Sequence, residues 1–231
     1  MRNFAFIFAR GGSKGLPKKN VKLLAGKPLI QYSIDIAKAV DSIEKVFVST
    51  EDKEIAKIAE MAGAEIIVRP EELASDTSPE WLSWKHAIDF VEKKYGEFDN
   101  FISLPATSPL RSVEDVKAAI KQKNDIESDI CISVTEASRS PYFNMITLRE
   151  NGLATLVCQP ETGIARRQDA PTVYDITTVV YVASPTFIVN SNGLFEGAVT
   201  AVEVPKERAV DIDDIFDFKL AEIIVEGQLN A

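Results

Sequence analysis

A glycine-rich, basic segment near the N-terminus has the composition of a phosphate-binding loop. Residues 9–20 read ARGGSKGLPKKN and follow the apolar run FAFIF at residues 4–8. Glycines let a backbone approach an anion closely and turn its N–H groups toward it. The side chains that add positive charge are Arg10, Lys14, Lys18 and Lys19. The pattern predicts a site for nucleotide phosphates, and the alternative is a tight turn with solvated basic side chains.

The glycine spacing excludes two well-known nucleotide-binding motifs. The P-loop requires G-x-x-x-x-G-K-[ST], and the dinucleotide fingerprint requires G-x-G-x-x-G at the start of a helix. Here the glycines are spaced G-G-x-x-G, and Pro17 with the following KKN prolongs the loop. We therefore expect the loop backbone and its side chains, and not a helix dipole, to hold the phosphates.

Two acidic residues far along the chain have the spacing of a divalent-metal site. Asp211 and Asp213 flank Ile212 in the sequence VDIDD. Side chains two positions apart in an extended segment lie on the same face, so the carboxylates should project together while Ile212 enters the core. Mg²⁺ needs only one or two carboxylates beside substrate phosphates. The alternative is that these acids cap the next helix, and Asp214 could do so while the other two bind the metal.

The elements that must position these residues follow an alternating pattern. Strand patterns occur at residues 4–8, 45–49, 64–68, 100–104 and 129–134, with helical patterns between them. This alternation predicts a mostly parallel sheet with right-handed crossovers, in which ligands bind beyond the carboxyl ends of the strands. Asn151-Gly152 then signals a hairpin. Further strands at 178–182 and 199–204 precede a closing helix at 215–226.

Composition limits the partners and the compartment. The net charge of −9 argues against nucleic acid, which requires basic surfaces. No apolar run reaches the roughly 20 residues that span a bilayer, and the N-terminal apolar run is too short for a signal peptide. We therefore expect a cytoplasmic protein without a membrane partner. Cys131 and Cys158 lie in apolar stretches without metal-ligand spacing, which predicts reduced core cysteines.

The string ARGGSKGLPKKN resembles the N-terminal signature of the acylneuraminate cytidylyltransferases, which make CMP-activated sialic and related nonulosonic acids. The likeness extends over nearly the whole chain. It implies one domain over residues 1–231 with a Rossmann-like, three-layer α/β nucleotide-diphospho-sugar transferase fold. It also implies Mg²⁺-dependent transfer from CTP to a nonulosonic-type 2-keto sugar acid, giving CMP-sugar and pyrophosphate. An octulosonate-type acceptor or another nucleoside triphosphate is an alternative, and a non-catalytic nucleotide-binding protein is a third.

The resemblance gives individual residues roles in binding the nucleotide and metal. Arg10 and Lys14 would hold the triphosphate, and with Asp211 and Asp213 as metal ligands they form the implied catalytic set. Asn20 and Arg69 would contact the base, because in the family the segment RPEELASDT at residues 69–77 closes over cytosine. The other implied nucleotide contacts are Ala9, Gly11, Gly12, Ser13 and Lys19. The general base is not identified.

The sugar-binding segments match the family less closely. In LPATSPLR, residues 104–111, two prolines bracket Thr107 and Ser108, so we expect both hydroxyls to point outward as substrate contacts. The family commonly carries glutamine where this chain has Pro105. A second departure is Asp175, which replaces the arginine of an Arg-Pro-Asn-Gly pattern. Both departures imply that the acceptor sugar, or the way it is held, differs from N-acetylneuraminate.

An arm near the hairpin completes the expected site. The family motif R-Q-x-x-P matches Arg167, Gln168 and Pro171, so Arg167 and Gln168 become substrate contacts, and an arginine fork suits a sugar carboxylate. Phe195 matches an aromatic residue that lines the family's sugar pocket, although a core phenylalanine is an equal alternative. In the family the arm, about residues 140–172 here, lies across a two-fold partner. The resemblance therefore implies a homodimer.

Overall fold

The first strand shows why the chain folds around a buried sheet. Phe4 and Phe6 point to one face of it and Ala5 and Ile7 to the other, and all four are at most 1% exposed. A strand covered on both faces must be apolar throughout its length. In the computed structural model, which describes residues 1–13, 15–159 and 166–229, this strand lies in the interior of a seven-stranded sheet.

The elements occur in the alternating order that the sequence predicts. The strands are β1 (Asn3–Phe8), β2 (Leu23–Leu24), β3 (Lys27–Pro28), β4 (Ile43–Thr50), β5 (Glu65–Val68), β6 (Asn100–Ser103), β7 (Ile130–Glu136), β8 (Ile146–Leu148), β9 (Ala154–Leu156), β10 (Tyr174–Ala183) and β11 (Val199–Glu203). The helices are α1 (Leu29–Ala39), α2 (Lys53–Met61), α3 (Glu80–Tyr95), α4 (Val113–Asp125), α5 (Pro185–Asn190) and α6 (Ile215–Leu229). Short 3-10 turns occupy Lys19–Val21, Glu71–Leu73, Arg167–Asp169, Leu194–Glu196 and Lys206–Arg208.

The main sheet has the strand order β11-β7-β10-β6-β1-β4-β5. Strand β10 runs antiparallel to both of its neighbours, whereas the other pairings are parallel. The predicted mostly parallel sheet is therefore confirmed. The carboxyl ends of β1, β4, β5 and β6 lie side by side at one edge, where an open α/β sheet binds ligands.

Helices cover both faces of the sheet and make three layers. One apolar cluster joins α1, α2 and α4 to the face that carries Ala5 and Ile7. A second, more aromatic cluster joins α3 and α5 to the opposite face. The ring of Phe6 stacks on Phe101, with centroids 4.4 Å apart. Alternation along each strand thus builds two cores, because neighbouring side chains point to opposite faces.

A third apolar cluster brings the two ends of the chain together. Leu16 of the basic loop, Leu110 and Ile212 pack with Phe218 and Val225 of α6. A salt bridge supports this arrangement, since Arg208 donates two hydrogen bonds of 2.9 Å to the carboxylate of Asp115. The segment before α6 is therefore attached both to the basic loop and to the start of α4.

The hairpin signal at Asn151-Gly152 is confirmed. Strands β8 and β9 pair antiparallel, and Gly152 adopts φ +80, a left-handed conformation that glycine tolerates. The hairpin exposes several large apolar side chains, which are Ile146, Leu148, Leu153 and Val157.

Within the described residues, no helix is long and apolar enough to cross a membrane. Cys131 is buried and Cys158 is half-buried, and both are free thiols.

Candidate active site

The basic loop and the acidic segment meet directly in the structure. A Cβ added to Gly15 would collide with the main-chain oxygen of Asp213, so glycine is required for this close approach. Lys19 Nζ donates a hydrogen bond of 2.6 Å to the carbonyl oxygen of Ile212 and lies 3.6 Å from Asp213 Oδ1. Segments almost two hundred residues apart in sequence therefore form one surface.

Ile212 fixes the acidic segment as the sequence predicts. Its side chain is fully buried, and its N–H donates to the carbonyl oxygen of Thr107 at 2.8 Å. Asp213 is 81% exposed beside Lys19. Asp211 is half-buried, and its Oδ1 atom is buried without a hydrogen-bond partner among the described residues. The same residues contain no cluster of three or more potential metal ligands.

Asp214 caps α6, as expected. Its Oδ1 accepts hydrogen bonds from the N–H groups of Phe216 at 2.7 Å and Asp217 at 3.1 Å. In return Asp217 Oδ2 accepts from the N–H groups of Asp213 and Asp214, both at 3.0 Å. This reciprocal capping satisfies otherwise unpaired helix donors, and it leaves the side chains of Asp211 and Asp213 free for other roles.

The basic loop is held by several hydrogen bonds. Ala9 N donates to Ser49 O at 3.1 Å, and Gly11 N donates to Glu51 Oε1 at 2.6 Å. Asn20 Nδ2 donates to the carbonyl oxygen of Arg10 at 3.0 Å. The guanidinium of Arg10 forms a salt bridge with Asp76 Oδ1 at 2.9 Å and thereby connects the loop to residues 69–77. Lys14 lies outside the described residues.

Arg69 lies buried at the carboxyl end of β5. Its Nε donates to Ser49 Oγ at 3.2 Å, and its Nη2 donates to Ser49 O at 2.8 Å. The guanidinium carbon lies 5.6 Å from the centre of the Phe8 ring. Burial lowers the pKa of Arg69. The side chain is therefore fixed by the scaffold before any ligand binds.

These residues line a cleft of about 370 Å³ at the carboxyl edge of the sheet. One wall is formed by Phe8 and the basic loop, and the opposite wall by residues 69–83. The floor comes from residues 105–107 and β10. The sequence-predicted residues that line it are Arg10, Gly12, Ser13, Lys19, Asn20, Arg69 and Thr107. The cleft thus brings most of the predicted nucleotide contacts together.

Glu80 and Tyr181 are among the residues of this cleft that sequence reasoning missed. Glu80 is the first residue of α3, and its Oε1 accepts a hydrogen bond of 3.3 Å from the indole nitrogen of Trp84. The surrounding protein disfavours the charged carboxylate and raises its pKa. Burial, with smaller effects of Glu80 and Asp211, raises the pKa of Tyr181 to about 12. Their positions were the only signal in the sequence. Glu80 lies just after the loop at residues 69–77, and Tyr181 lies on β10, the strand that runs antiparallel to its neighbours.

A second cavity of about 610 Å³ adjoins the first through Thr178, which lines both. Asp211 and Asp175 line it together with Thr177 and apolar side chains of α6. Pro105 lines the first cleft. The two positions at which the chain departs from the sialic-acid pattern therefore both face cavities at this edge of the sheet.

The expectation that the hydroxyls of Thr107 and Ser108 both point outward is wrong for Ser108. Thr107 lines the cleft, but Ser108 is fully buried and its Oγ pairs with Thr178 Oγ1 at 2.6 Å. Arg111, which sequence reasoning did not single out, explains this turn. It is buried, and its Nε donates a hydrogen bond of 2.7 Å to the carbonyl oxygen of Val179. Its Nη2 donates a second one to the carbonyl oxygen of Pro105. The turn is thus fastened to β10, and the hydroxyl of Ser108 is hydrogen-bonded inside the protein to the hydroxyl of Thr178.

None of the described side chains of the arm lines the cleft of its own chain. Gln168 lines a separate depression with Ser140 and Val173. The side chain of Arg167 lies outside the described residues, while the neighbouring Arg166 forms two hydrogen bonds with Asp169. Phe195 is 70% exposed, so the alternative of a core phenylalanine is wrong. Its side chain lines neither cavity, and its substrate contact stays a prediction.

Comparison with known proteins agrees with this geometry. A family model described as "Cytidylyltransferase" matches residues 4–189. An N-acylneuraminate cytidylyltransferase of Escherichia coli is 31% identical over 98% of this chain, which spans 52% of that protein, about half its length. A CMP-N,N'-diacetyllegionaminic acid synthase of Campylobacter jejuni is 30% identical over 95% of this chain and 93% of that protein.

A solved structure shows the same fold. CMP:2-keto-3-deoxy-manno-octonic acid synthetase, complexed with CTP, superposes with a TM-score of 0.73 at 16% identity. The match covers 99% of this chain and 100% of that chain. The expected three-layer nucleotidyltransferase fold is thereby confirmed. Taken with the family match over most of its length, these findings show that the chain belongs to the cytidylyltransferase family.

Proposed function

We propose that this protein transfers CMP from CTP to a nonulosonic-type 2-keto sugar acid, releasing pyrophosphate. The observation that carries the proposal is the direct contact of the basic loop, which lines the cleft, with the acidic segment. Gly15 and Lys19 make this contact on one side, and Ile212 and Asp213 on the other. The relatives whose names include N-acylneuraminate and diacetyllegionaminic acid support a nonulosonic acceptor.

In the proposed reaction, the anomeric hydroxyl oxygen of the sugar acid attacks the α-phosphorus of CTP. The bond between this phosphorus and the pyrophosphate oxygen breaks, and the hydroxyl proton is lost. Such transfers depend on placing the reactants in line and on stabilising negative charge. Arg10, Lys14 and Lys19 would hold the triphosphate, with loop N–H groups beside them. Asn20 and Arg69 would hold the base.

We also propose that Asp211 and Asp213 would hold Mg²⁺. The residues fit this ion, because Asp211 Oδ1 is buried without a partner among the described residues and Asp213 is exposed beside the phosphate loop. Two carboxylates suffice for Mg²⁺ when substrate phosphates complete its coordination. When bound, the ion would neutralise charge on the triphosphate and on the leaving pyrophosphate.

We propose further that residues 140–172 form a dimerisation arm within a single domain over residues 1–231, and that the protein is a cytoplasmic homodimer. The exposed apolar side chains of the β8–β9 hairpin favour burial against another surface. Gln168 and Phe195 do not line the cleft of their own chain, so their proposed substrate contacts would be made in a second copy. Arg167 stays a predicted substrate contact. Free thiols at Cys131 and Cys158 fit a reducing compartment. Analytical ultracentrifugation tests the dimer, and a monomer at assay concentrations would contradict it.

The test of the activity is a pyrophosphate-release assay with two panels. CTP, UTP, GTP and ATP are each combined with N-acetylneuraminate, legionaminate-type and pseudaminate-type acids and ketodeoxyoctonate. We expect release with CTP and a nonulosonic acid. Release with ketodeoxyoctonate alone, or with another nucleotide alone, would favour the corresponding alternative. CTP binding without release in any combination would favour a non-catalytic nucleotide-binding protein.

A further inference from the structure

Glu80 is a carboxylate in the nucleotide cleft to which the proposed reaction assigns no role. It lines the cleft and is open to it. Within the described part of the chain, its one hydrogen bond comes from Trp84 at 3.3 Å, and no cation lies within ion-pair distance. A carboxylate has about four acceptor positions, so most of its hydrogen-bonding capacity is unused.

The partner that Glu80 can accept is limited by charge. When it is ionised, Glu80 repels phosphate groups and the carboxylate of a sugar acid, because they carry the same sign. The group that faces it must therefore be a neutral or positive hydrogen-bond donor. Among the groups of a cytidine nucleotide, the ribose hydroxyls and the cytosine amino group are such donors.

The position of Glu80 selects the ribose. Its charged neighbours are Arg69 and Asp211. The proposed reaction places the base at Arg69, as one end of the bound nucleotide, and the metal-bound triphosphate at Asp211, as the other end. In a nucleotide the ribose joins the base to the α-phosphate, so it lies between those two ends. An acidic side chain that accepts hydrogen bonds from ribose hydroxyls also occurs in other nucleotide-binding folds.

We propose that Glu80 accepts hydrogen bonds from the ribose hydroxyls and so selects CTP over dCTP. This inference rests on the proposed function, because it places a cytidine nucleotide in the cleft. Trp84 holds the carboxylate toward the cleft, and the start of α3 is favourable for a negative charge. Hydrogen bonds to a charged group are stronger than neutral ones, so we expect a preference of about tenfold.

The experiment measures CTP, dCTP and UTP affinities by isothermal titration calorimetry in Mg²⁺, without an acceptor, so that no turnover occurs. The wild-type protein should prefer CTP to dCTP by about tenfold. Glu80→Ala should weaken CTP binding and leave dCTP binding nearly unchanged, which brings the ratio close to one. Glu80→Gln keeps one acceptor oxygen and should lie between them. A variant that is partly unfolded loses binding stoichiometry, whereas the affinity ratio reports on the cleft.

Glu60→Ala is the matched control. Glu60 is an exposed glutamate of α2 and does not line the cleft, so its removal changes the net charge equally and should keep the wild-type ratio. A Glu80→Ala protein that still prefers CTP to dCTP overturns the inference. A change confined to the CTP-to-UTP ratio also overturns it, by assigning Glu80 to the base. If the wild-type protein binds no cytidine nucleotide, the proposed function itself fails.

Discussion

Substituting Gly15 by alanine tests the contact that assembles the proposed site. The added methyl group would collide with the main-chain oxygen of Asp213. Because that oxygen belongs to the backbone, it cannot move aside like the end of a flexible side chain. Overpacking of this kind costs about 1–3 kcal/mol. For a chain of this size that corresponds to a fall in melting temperature of about 2–12 °C.

The loop could instead yield and preserve stability, and the damage would then appear in ligand binding. A displaced loop no longer holds Lys19 beside Asp213, and a misplacement of about 1 Å can cost roughly a hundredfold in activity. The assay is therefore paired: thermal melting by circular dichroism, and CTP affinity by calorimetry in Mg²⁺. We expect Gly15→Ala to lower the melting temperature, the CTP affinity or both.

Gly12→Ala is the steric control for melting, since nothing lies within 4 Å of its added Cβ. It should melt within about 0.5 kcal/mol of the wild-type protein. Gly12 lines the cleft, so its CTP affinity is not part of the control. A Gly15→Ala protein with wild-type melting and wild-type CTP affinity would show that the loop and Asp213 do not touch in solution, and the proposed site would lose its basis.

Two further predictions follow from the charged groups of the site and its support. Asp213→Asn should abolish pyrophosphate release at ordinary Mg²⁺ yet melt normally, because the side chain is 81% exposed; full activity in the release assay would remove Asp213 from the metal role. Burial opposes ionisation of Asp115, but hydrogen bonds from Arg208 and Ser112 lower its pKa below the ordinary value. Its contribution to stability is therefore present above about pH 4 and is lost as the pH falls through the depressed value. In urea unfolding between pH 3 and 7, Asp115→Asn should cost about 2 kcal/mol near pH 7 and weaken the acid-induced loss, and an unchanged pH profile would contradict this.

The fold was predictable because the signals for it are local. Apolar runs such as Phe4–Phe8 in β1, interrupted by helical periodicity, set the order of the elements. Asn151-Gly152 specified the hairpin through its backbone preference. The antiparallel direction of β10 was not predictable, since it depends on how the chain returns after the hairpin and on pairing with strands far away in sequence.

The site was predictable where residue type and spacing reflect backbone geometry. Burial of Ile212 between two acids followed from strand-like alternation, and the glycines of the basic loop reflected close approach. Orientation inside a turn was not predictable. Ser108 points inward because the buried Arg111 and Thr178 fasten the turn to β10. No sequence motif connects Ser108 with either of these residues.

Glu80 and Tyr181 were not predicted as cleft residues for a different reason. A glutamate at the start of a helix and a tyrosine in a strand are common where no ligand binds, so their types carry little information alone. They become notable only because α3 and β10 place them in the same cleft as Arg69 and Asp211.

The peptide group of Ile212 links three distant parts of the polypeptide, since its N–H reaches Thr107 and its carbonyl oxygen accepts from Lys19. Contacts of such long sequence separation form late in folding, because the intervening chain must be ordered first. During synthesis, strands β1, β4, β5 and β6 can pair with one another before this residue has been made. The proposed site therefore forms only after residue 212 has been added, and a chain terminated before it would retain much of the architecture without the proposed metal-binding segment.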